Sequence, residues 1–532
     1  MKNPFLIVED PIRPVPKAAY GWRIYTLAIS ASWATAMNGY DVAFIGGTLA
    51  LPSFQQEYGF KQGTEAYTSF SSNLISIFVG GCFFGGLIGY YFSEVYGRKK
   101  QLIGSGMVFA VGATMQVLNG GKLSLLYIGR VATGLGVGAS AMCAPIYIAE
   151  SSPPPIRGRL VGIFDICLEM FACIGFWINY GVERTIPPSR KQCQVPFAVQ
   201  LIPAGLLLVS MPFMKESPRW LARQGRVEEA RKVLSYVYHL PEDHPYVQME
   251  IGEMQAHIDR EAQMFGRSFW KSTWKEAAKA GIRNRIILAV CLKVLMSFTG
   301  VQAINYYSPR VFQSIGLRGT STQLLVTGFY GQVKFFSALA AIVFAIDSLG
   351  RRPLLIFGSV GCLIPMFYLG TYSKISNSFN SSMNEPDTGG YVAVVMTFLF
   401  AISFAVSWLS PPRVFASEIF PNRVRSLGFA VSMSASWIAQ FIVVYSAPYM
   451  IARIQFGMFF FYGSCTTFAV MFVYLFVPET KGVSMEHMDF IFNGSVWGLK
   501  ARRDAEEKIA QHEAIIMGID AGIGTSEDKE SV

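Results

Sequence analysis

The strongest constraint on this chain is the recurrence of apolar stretches long enough to cross a lipid bilayer. A spanning helix needs roughly 20 mainly apolar residues. About twelve stretches reach that length, centred on 22–47, 70–92, 101–119, 124–148, 160–181, 195–213, 284–310, 322–346, 353–372, 390–416, 424–449 and 457–477. Lipid offers backbone amides no partner, so such runs must close their hydrogen bonds internally as helices. Composition agrees: 52% of residues are hydrophobic and 15% charged, against about 25% charged in ordinary globular chains. The expectation is an all-α membrane protein with twelve transmembrane helices.

A net charge of +10 raises the question of nucleic acid, but its distribution answers otherwise. Lys and Arg gather in every second loop: at Arg98, Lys99 and Lys100, at Arg157 and Arg159, through 214–283, at Arg351 and Arg352, at Arg423 and Arg425, and in both tails. The other loops carry isolated cases such as Lys61, Lys122 and Lys374, and a small group at Arg184, Arg190 and Lys191. That asymmetry is the positive-inside pattern, which places both termini and the long central loop in the cytoplasm. No nucleic-acid partner is expected. The opening "MKNPFLIVEDPIRPVPKAAYGW" has no basic segment leading into an apolar one, so no cleavable signal peptide is expected.

Cysteine and histidine usage argues against metal, haem or disulfide chemistry. Cys82, Cys143, Cys167, Cys173, Cys291, Cys362 and Cys465 fall within spans, and Cys193 sits near an external helix end, without metal-ligand spacing. His239, His244, His257, His487 and His512 all lie outside the spans, so an intramembrane metal or haem lacks its usual ligands. No nucleophile–base constellation is present, and an enzyme is not expected.

The spans divide six and six. The reading is a cytoplasmic tail at 1–21, a six-helix bundle at 22–213, a cytoplasmic helical linker at 214–283, a second six-helix bundle at 284–477 and a cytoplasmic tail at 478–532. In the linker, "RQGRVEEARKVL" offers i,i+4 charge pairs. Short motifs echo between the halves: "EVYGRKK" (94–100) with "DSLGRRP" (347–353), Glu150-Pro153-Arg157 with Glu418-Pro421-Arg425, and "ESPR" (216–219) with "ETKG" (479–482). Internal repeats with a site between them at the midplane are the expected build of a secondary transporter. The repeated charges, Glu94, Arg98, Glu150, Arg157, Glu216, Arg219, Asp347, Arg351, Glu418, Arg425 and Glu479, form a candidate cytoplasmic gate. They would pair when that mouth shuts and part when it opens; the alternative is that they only set topology and cap helices.

Together, "GRVATGLGVG" (129–138), "PIYIAESSPPPIRG" (145–158), "ESPRWL" (216–221), "GVQAINYYSP" (300–309), "DSLGRRP", "EIFPNRVR" (418–425) and "PETKG" (478–482) resemble the sugar porter family of the major facilitator superfamily, over about residues 20–490. Within it, "FLIVEDPIRPVPKAAYGWRIY", "GYDVAFIGGTLALPSF" and "TGFYGQVK" are most similar to fungal quinate permeases. The resemblance implies the major facilitator fold in two pseudo-symmetric halves, alternating access, and uptake of a small polyhydroxylated solute.

Intramembrane charges are functional candidates because each needs a partner, a wet cavity or a route to the interface. They are Asp41, Arg130, Asp165, Glu169, Lys293, Lys334 and Arg413. The family pattern sets a basic residue of span four beside the acid of span one, which makes Asp41 and Arg130 the candidate proton-coupling pair; a static packing pair is the alternative. The resemblance implies that proton-coupled members keep this acid. Where the family carries a glutamine in span five, this chain has Asp165. Where it carries paired glutamines in span seven, this chain reads Met296-Ser297. An asparagine position is Gln302, while Asn305, Tyr306 and Tyr307 match. A tryptophan position of span ten is Arg413, although Trp408 remains.

Amides that would pair sugar hydroxyls are thus largely replaced, and cations have entered. An arginine fork suits a carboxylate, so the candidate substrate-binding set is Asp165, Ser297, Gln302, Asn305, Tyr306, Tyr307, Lys334, Trp408 and Arg413. For Lys334 the alternative is pairing with Asp165 or another fixed acid. Arg413 faces either a substrate anion or the acids of the cytoplasmic gate, with the gate favoured. Lys293 reads as a snorkelling or cavity-edge residue.

The expected function is proton-coupled import of a quinate-like polyhydroxylated carboxylate through the plasma membrane. Partners are then the substrate, protons and lipid; the proton gradient replaces any cofactor, and a monomer is expected. Rivals are transport of a neutral sugar and a transporter-like nutrient receptor. The triplet "NSS" at 380–382 is a candidate external glycosylation site.

Overall fold

A computed structural model describes residues 15–265, 277–345, 349–379, 387–420, 424–480, 491, 492 and 498. Asp347 and the 380–382 triplet lie outside the described residues, as do the side chains of Glu418 and Arg425.

Twelve helices run through the bundle. In chain order they are α1 (Trp22–Ala50), α2 (Glu65–Tyr96), α3 (Arg98–Val117), α4 (Leu123–Ser151) and α5 (Arg157–Thr185), α6 (Arg190–Phe213), α7 (Gly281–Ser314) and α8 (Thr320–Ala345), α9 (Arg351–Ile375), α10 (Thr388–Ala416), α11 (Arg425–Arg453) and α12 (Gly457–Phe476). Ten of them are long and apolar enough to span by length and composition alone. The other two are α1 and α3, which polar positions such as Asp41 and Gln116 make less apolar. α1 is largely buried against α5 and α4, and α3 packs on α4. The fold is the all-α, twelve-helix arrangement expected.

Among the described residues of the linker are helices Pro218–Arg223, Val227–Tyr238 and Pro245–Phe265. Arg23, at the start of α1, donates to the Tyr236 carbonyl at 2.9 Å, so α1 begins at the end of the bundle that carries the linker. We call this the linker end. The charge pairs of the linker are one residue closer than the sequence suggests: Arg226–Glu229 at 2.5 Å and Arg231–Glu228 at 3.1 Å are both i,i+3. Both spacings place side chains on one helix face.

The two halves repeat each other's packing. α1 lies on α5 as α7 lies on α11; α2 lies on α4 as α8 lies on α10; α3 lies on α4 as α9 lies on α10. Contact between the halves follows the same rule, α2 against α11 and α5 against α8. One tight crossing comes from glycines at i,i+4. Gly81, Gly85 and Gly89 on α2 face Gly134 and Gly138 on α4, and a Cβ added at Gly138 would lie 2.0 Å from the Cys82 carbonyl oxygen. Apolar helices in lipid gain little from burial as such, so close backbone approach through small residues supplies the attraction.

Two helices are interrupted. α7 breaks at Gly300 (φ +90°) and again at Tyr307 (φ −123°, ψ 24°), two residues before Pro309. α10 widens to a π-turn at Ala405–Leu409 and restarts at Pro411. Irregular backbone at membrane depth is tolerated where protein or a wet cavity satisfies it, and both breaks flank the central cavity.

Candidate functional site

The cavity lies between the halves, from mid-depth toward the linker end. It encloses about 830 Å3, with open solvent at its mouth included. Its walls come from the two helix pairs that the repeat relates: α1 and α5, with Thr35, Asn38, Phe164 and Glu169, and α7 and α11, with Lys293, Gln302, Asn305, Ser436, Trp437 and Gln440. α8 adds Lys334, and α10 adds Phe404 and Arg413.

Ion pairs bridge the halves across this space. Asp165 and Glu169 stand one turn apart on α5. Lys334 meets Glu169 at 3.0 Å, with side-chain exposures of 5% and 1%. Arg413 pairs with Asp165, which also accepts a hydrogen bond from Ser410 at 2.9 Å. The guanidinium of Arg413 sits 5.3 Å from the Phe164 ring centre. Arg413 thus has a third answer that sequence reasoning did not offer it, a carboxylate of the opposite half. The alternative partner raised for Lys334, a fixed acid, is present as Glu169.

Lys293 is 2% exposed and lines the cavity. It is a cavity residue and does not snorkel to the interface. Among the described residues it has no acidic partner. Three residues of the same wall, Thr35, Asn38 and Gln302, each carry a buried side-chain oxygen (Oγ1, Oδ1 and Oε1) without a hydrogen-bond partner in the protein.

Other expected substrate residues sit elsewhere. Ser297 turns its hydroxyl back toward the Lys293 carbonyl at 3.4 Å. Tyr306 is fully buried and accepts from Gln440 at 3.4 Å. Tyr307 donates to the Val444 carbonyl at 3.1 Å and faces a small cleft at the far end with Arg310. Trp408 is fully buried and donates to Ser359 at 2.9 Å. These three aromatics are buried and are not in this cavity's lining, which takes its rings from Trp437, Phe164, Phe404 and Phe429. Asn305 lines it while accepting from Tyr330 at 3.0 Å. Sequence reasoning missed Thr35, Asn38, Ser436, Trp437 and Gln440. Their signal was polar residues at helical spacing inside apolar spans, Thr35-Asn38 on α1 and Ser436-Gln440 on α11.

Asp41 and Arg130 form a second, separate site. Arg130 donates through Nη1 to both carboxylate oxygens of Asp41, at 2.7 and 2.9 Å, and both side chains are fully buried. Its Nε donates to the Leu74 carbonyl at 3.2 Å, its Cζ lies 4.6 Å from the Phe78 ring centre, and Nη2 has no partner. A one-to-one buried pair with a spare donor can rearrange when the acid gains a proton, because a neutral carboxyl no longer balances the guanidinium.

The candidate gate charges form networks within each half. Arg98 binds Glu150 at 3.0 Å and Glu94 at 2.8 Å, and Ser217 donates to Glu150 at 2.5 Å. Glu216 accepts from the backbone N–H groups of Arg98 and Lys99 at 2.9 and 3.1 Å, at the start of α3. Glu479 does the same for Arg351 and Arg352 at 3.1 and 3.0 Å, at the start of α9. A carboxylate there satisfies free donors and meets the positive end of the helix. Gly97 (φ +100°) and Gly350 (φ +90°) precede those helices, and an added Cβ would lie 2.5 Å from Glu216 Oε2 and 2.6 Å from Glu479 Oε2. Arg157 donates to the Ser152 carbonyl at 3.3 Å and forms no ion pair with Glu150. For Arg219 the structure gives no ion pair among the described residues.

Between the halves, the linker end is pinched differently. An apolar cluster of Tyr90 and Met142 against Phe429 and Ala430 joins the halves on one side, and the Asp165 and Glu169 bridges join them on the other. At the far end, Ser72 donates to the Tyr445 carbonyl at 2.7 Å, and Gly46 abuts the Tyr306 carbonyl, where a Cβ would come within 2.1 Å.

A family model described as "Sugar (and other) transporter" matches residues 27–492. The chain is 42% identical to a probable quinate permease of Neosartorya fischeri, over 92% of this chain and 91% of the relative. It is 41% identical to a probable quinate permease of Aspergillus niger, over 93% and 92%. Among solved structures, the proton:xylose symporter XylE bound to 6-bromo-6-deoxy-D-glucose superposes with a TM-score of 0.74 at 26% identity, covering 88% of this chain and 99% of XylE. A partially occluded inward-open form of XylE from E. coli gives 0.71 at 26% identity, over 87% and 100%.

Proposed function

This chain belongs to the sugar transporter family of the major facilitator superfamily, and on that premise we propose that it imports a quinate-like polyhydroxylated carboxylate by proton symport. It is a multi-pass membrane transporter of small molecules, not an enzyme. The observation that carries the finer reading is the cavity itself. Thr35, Asn38, Gln302, Asn305, Ser436 and Gln440 give the wall hydrogen-bonding side chains, which suits a ligand rich in hydroxyls. Three cations, Lys293, Lys334 and Arg413, stand against two carboxylates, Asp165 and Glu169, among the described residues. One positive charge is in excess, which suits an anion.

In this reading Asp41 carries the transported proton and Arg130 senses it. The linker end faces the cytoplasm, both termini lie there, and the membrane is the plasma membrane. Alternating access rocks the halves about the cavity: the Asp165 and Glu169 bridges and the Tyr90–Phe429 cluster part, while the Ser72–Tyr445 contact holds the far end. The networks around Arg98 and Glu216, and around Arg351 and Glu479, keep each half rigid as it moves.

A second reading, a neutral sugar, is favoured by one observation: Lys334 and Arg413 are both already neutralised by acids. Uptake of labelled quinate into transporter-deficient yeast expressing the chain, with glucose as competitor, separates the two. Quinate uptake that glucose leaves unchanged supports the acid reading; glucose uptake blind to quinate supports the sugar.

A further inference from the structure

Of the three cations around the cavity, two are held by fixed carboxylates of the opposite half and one is not. Lys293 sits on α7, 2% exposed, in the cavity wall, one turn from the wall residue Met296 and before the break at Gly300. An isolated ammonium in a membrane interior is costly unless it is paired or hydrated. No described acid pairs with it, whereas Lys334 has Glu169 at 3.0 Å and Arg413 has Asp165.

A substrate carboxylate that went to Lys334 or Arg413 would have to displace a carboxylate already in place, gaining little. At Lys293 it would neutralise a charge that no acid among the described residues pairs with. Thr35, Asn38 and Gln302, polar residues whose side-chain oxygens have no partner in the protein, line the same cavity and would pair with substrate hydroxyls. We propose that Lys293 is the specificity-determining residue that holds the substrate's carboxylate, and that the single uncompensated charge limits the site to monocarboxylates. This rests on the acidic-substrate reading above and assigns it to one residue that the charge pattern in sequence did not single out. Lys334 and Arg413 then belong to the bridges between the halves, and their role is conformational.

The test uses the full chain purified in detergent. Its eight free cysteines report unfolding through a thiol-reactive dye, and ligand stabilisation follows from mass action. The probes are quinate, its neutral methyl ester, and malate as a hydroxy dicarboxylate. In the parent chain quinate should stabilise at roughly ten- to hundred-fold lower concentration than the ester, the range expected of one charged hydrogen bond, and malate should not compete. Lys293→Met should abolish the gap between quinate and ester, and Lys293→Arg should keep most of it. Without ligand, Lys293→Met should also melt higher than the parent, because an unpaired buried charge has been removed. A lower melting temperature would place Lys293 in a structural ion pair and overturn the inference. A quinate–ester gap that survives Lys293→Met overturns the assignment and leaves the acidic substrate standing. No gap in the parent chain overturns both. Effective competition by malate in the parent would refute the one-carboxylate limit even if the variants failed to fold.

Discussion

Replacing Glu169 by glutamine should unbalance the cavity in a way that can be measured against its partner. The Glu169–Lys334 pair is 3.0 Å long with exposures of 1% and 5%, so water screens it poorly. Removing one member of such a pair leaves an uncompensated charge and typically costs about 3–5 kcal/mol, whereas removing both is close to neutral. Asp165 is one turn away on the same helix face but is engaged by Arg413 and Ser410, so the freed ammonium finds no vacant carboxylate. The assay is a double-mutant cycle of Glu169→Gln, Lys334→Met and the double variant, read by unfolding of the detergent-purified chain. Each single variant should be destabilised by about 3 kcal/mol or more, and the double variant should recover most of it. Independent sites add within about 0.3–0.5 kcal/mol, far below that coupling. Single changes that each cost under about 1 kcal/mol and simply add would make this an ordinary screened pair and refute the reading of Glu169–Lys334 as a buried, poorly screened bridge.

Other consequences follow from named contacts. Gly97→Ala should destabilise by about 1–3 kcal/mol from backbone strain alone and further by pushing Glu216 off the α3 N-terminus; in a Glu216→Ala background only the first part should remain, and Gly350 with Glu479 should repeat the pattern in the second half, as thermal unfolding of both sets would show. Trp408→Phe loses one buried hydrogen bond to Ser359, worth about 1 kcal/mol, and should leave the half-saturating substrate concentration unchanged. Trp437→Ala, which alters the cavity wall, should raise that concentration at least several-fold in uptake assays.

What was legible in the sequence depended on whether a signal was local. Twelve apolar runs marked the helices, and the paired motifs marked the two-fold build; Glu216 and Glu479 cap equivalent helices, the alternative to the gate reading that the motifs had left open. The Asp41–Arg130 contact was also anticipated, through the family pattern. Contacts between distant spans were not. Nothing in the order of residues says that Arg413 reaches across 248 positions to Asp165 when Glu418 is five residues away. Tyr306, Tyr307 and Trp408 are substrate-binding candidates by the family pattern, yet helix rotation buries them away from the cavity lining and turns Trp437 and Gln440 into it. A span's polar positions reveal that it has a wet face, but which wet face meets which is settled by how the helices rotate in the bundle.

The central claim, that a proton carried by Asp41 crosses together with the solute held in the cavity, is tested most directly in sealed proteoliposomes carrying an internal pH dye. Adding quinate outside, with no proton gradient imposed, should acidify the lumen in step with labelled quinate uptake. With Asp41→Asn the acidification should vanish while quinate still equilibrates. Quinate entry without acidification in the parent chain, or acidification that persists in Asp41→Asn, would contradict the account.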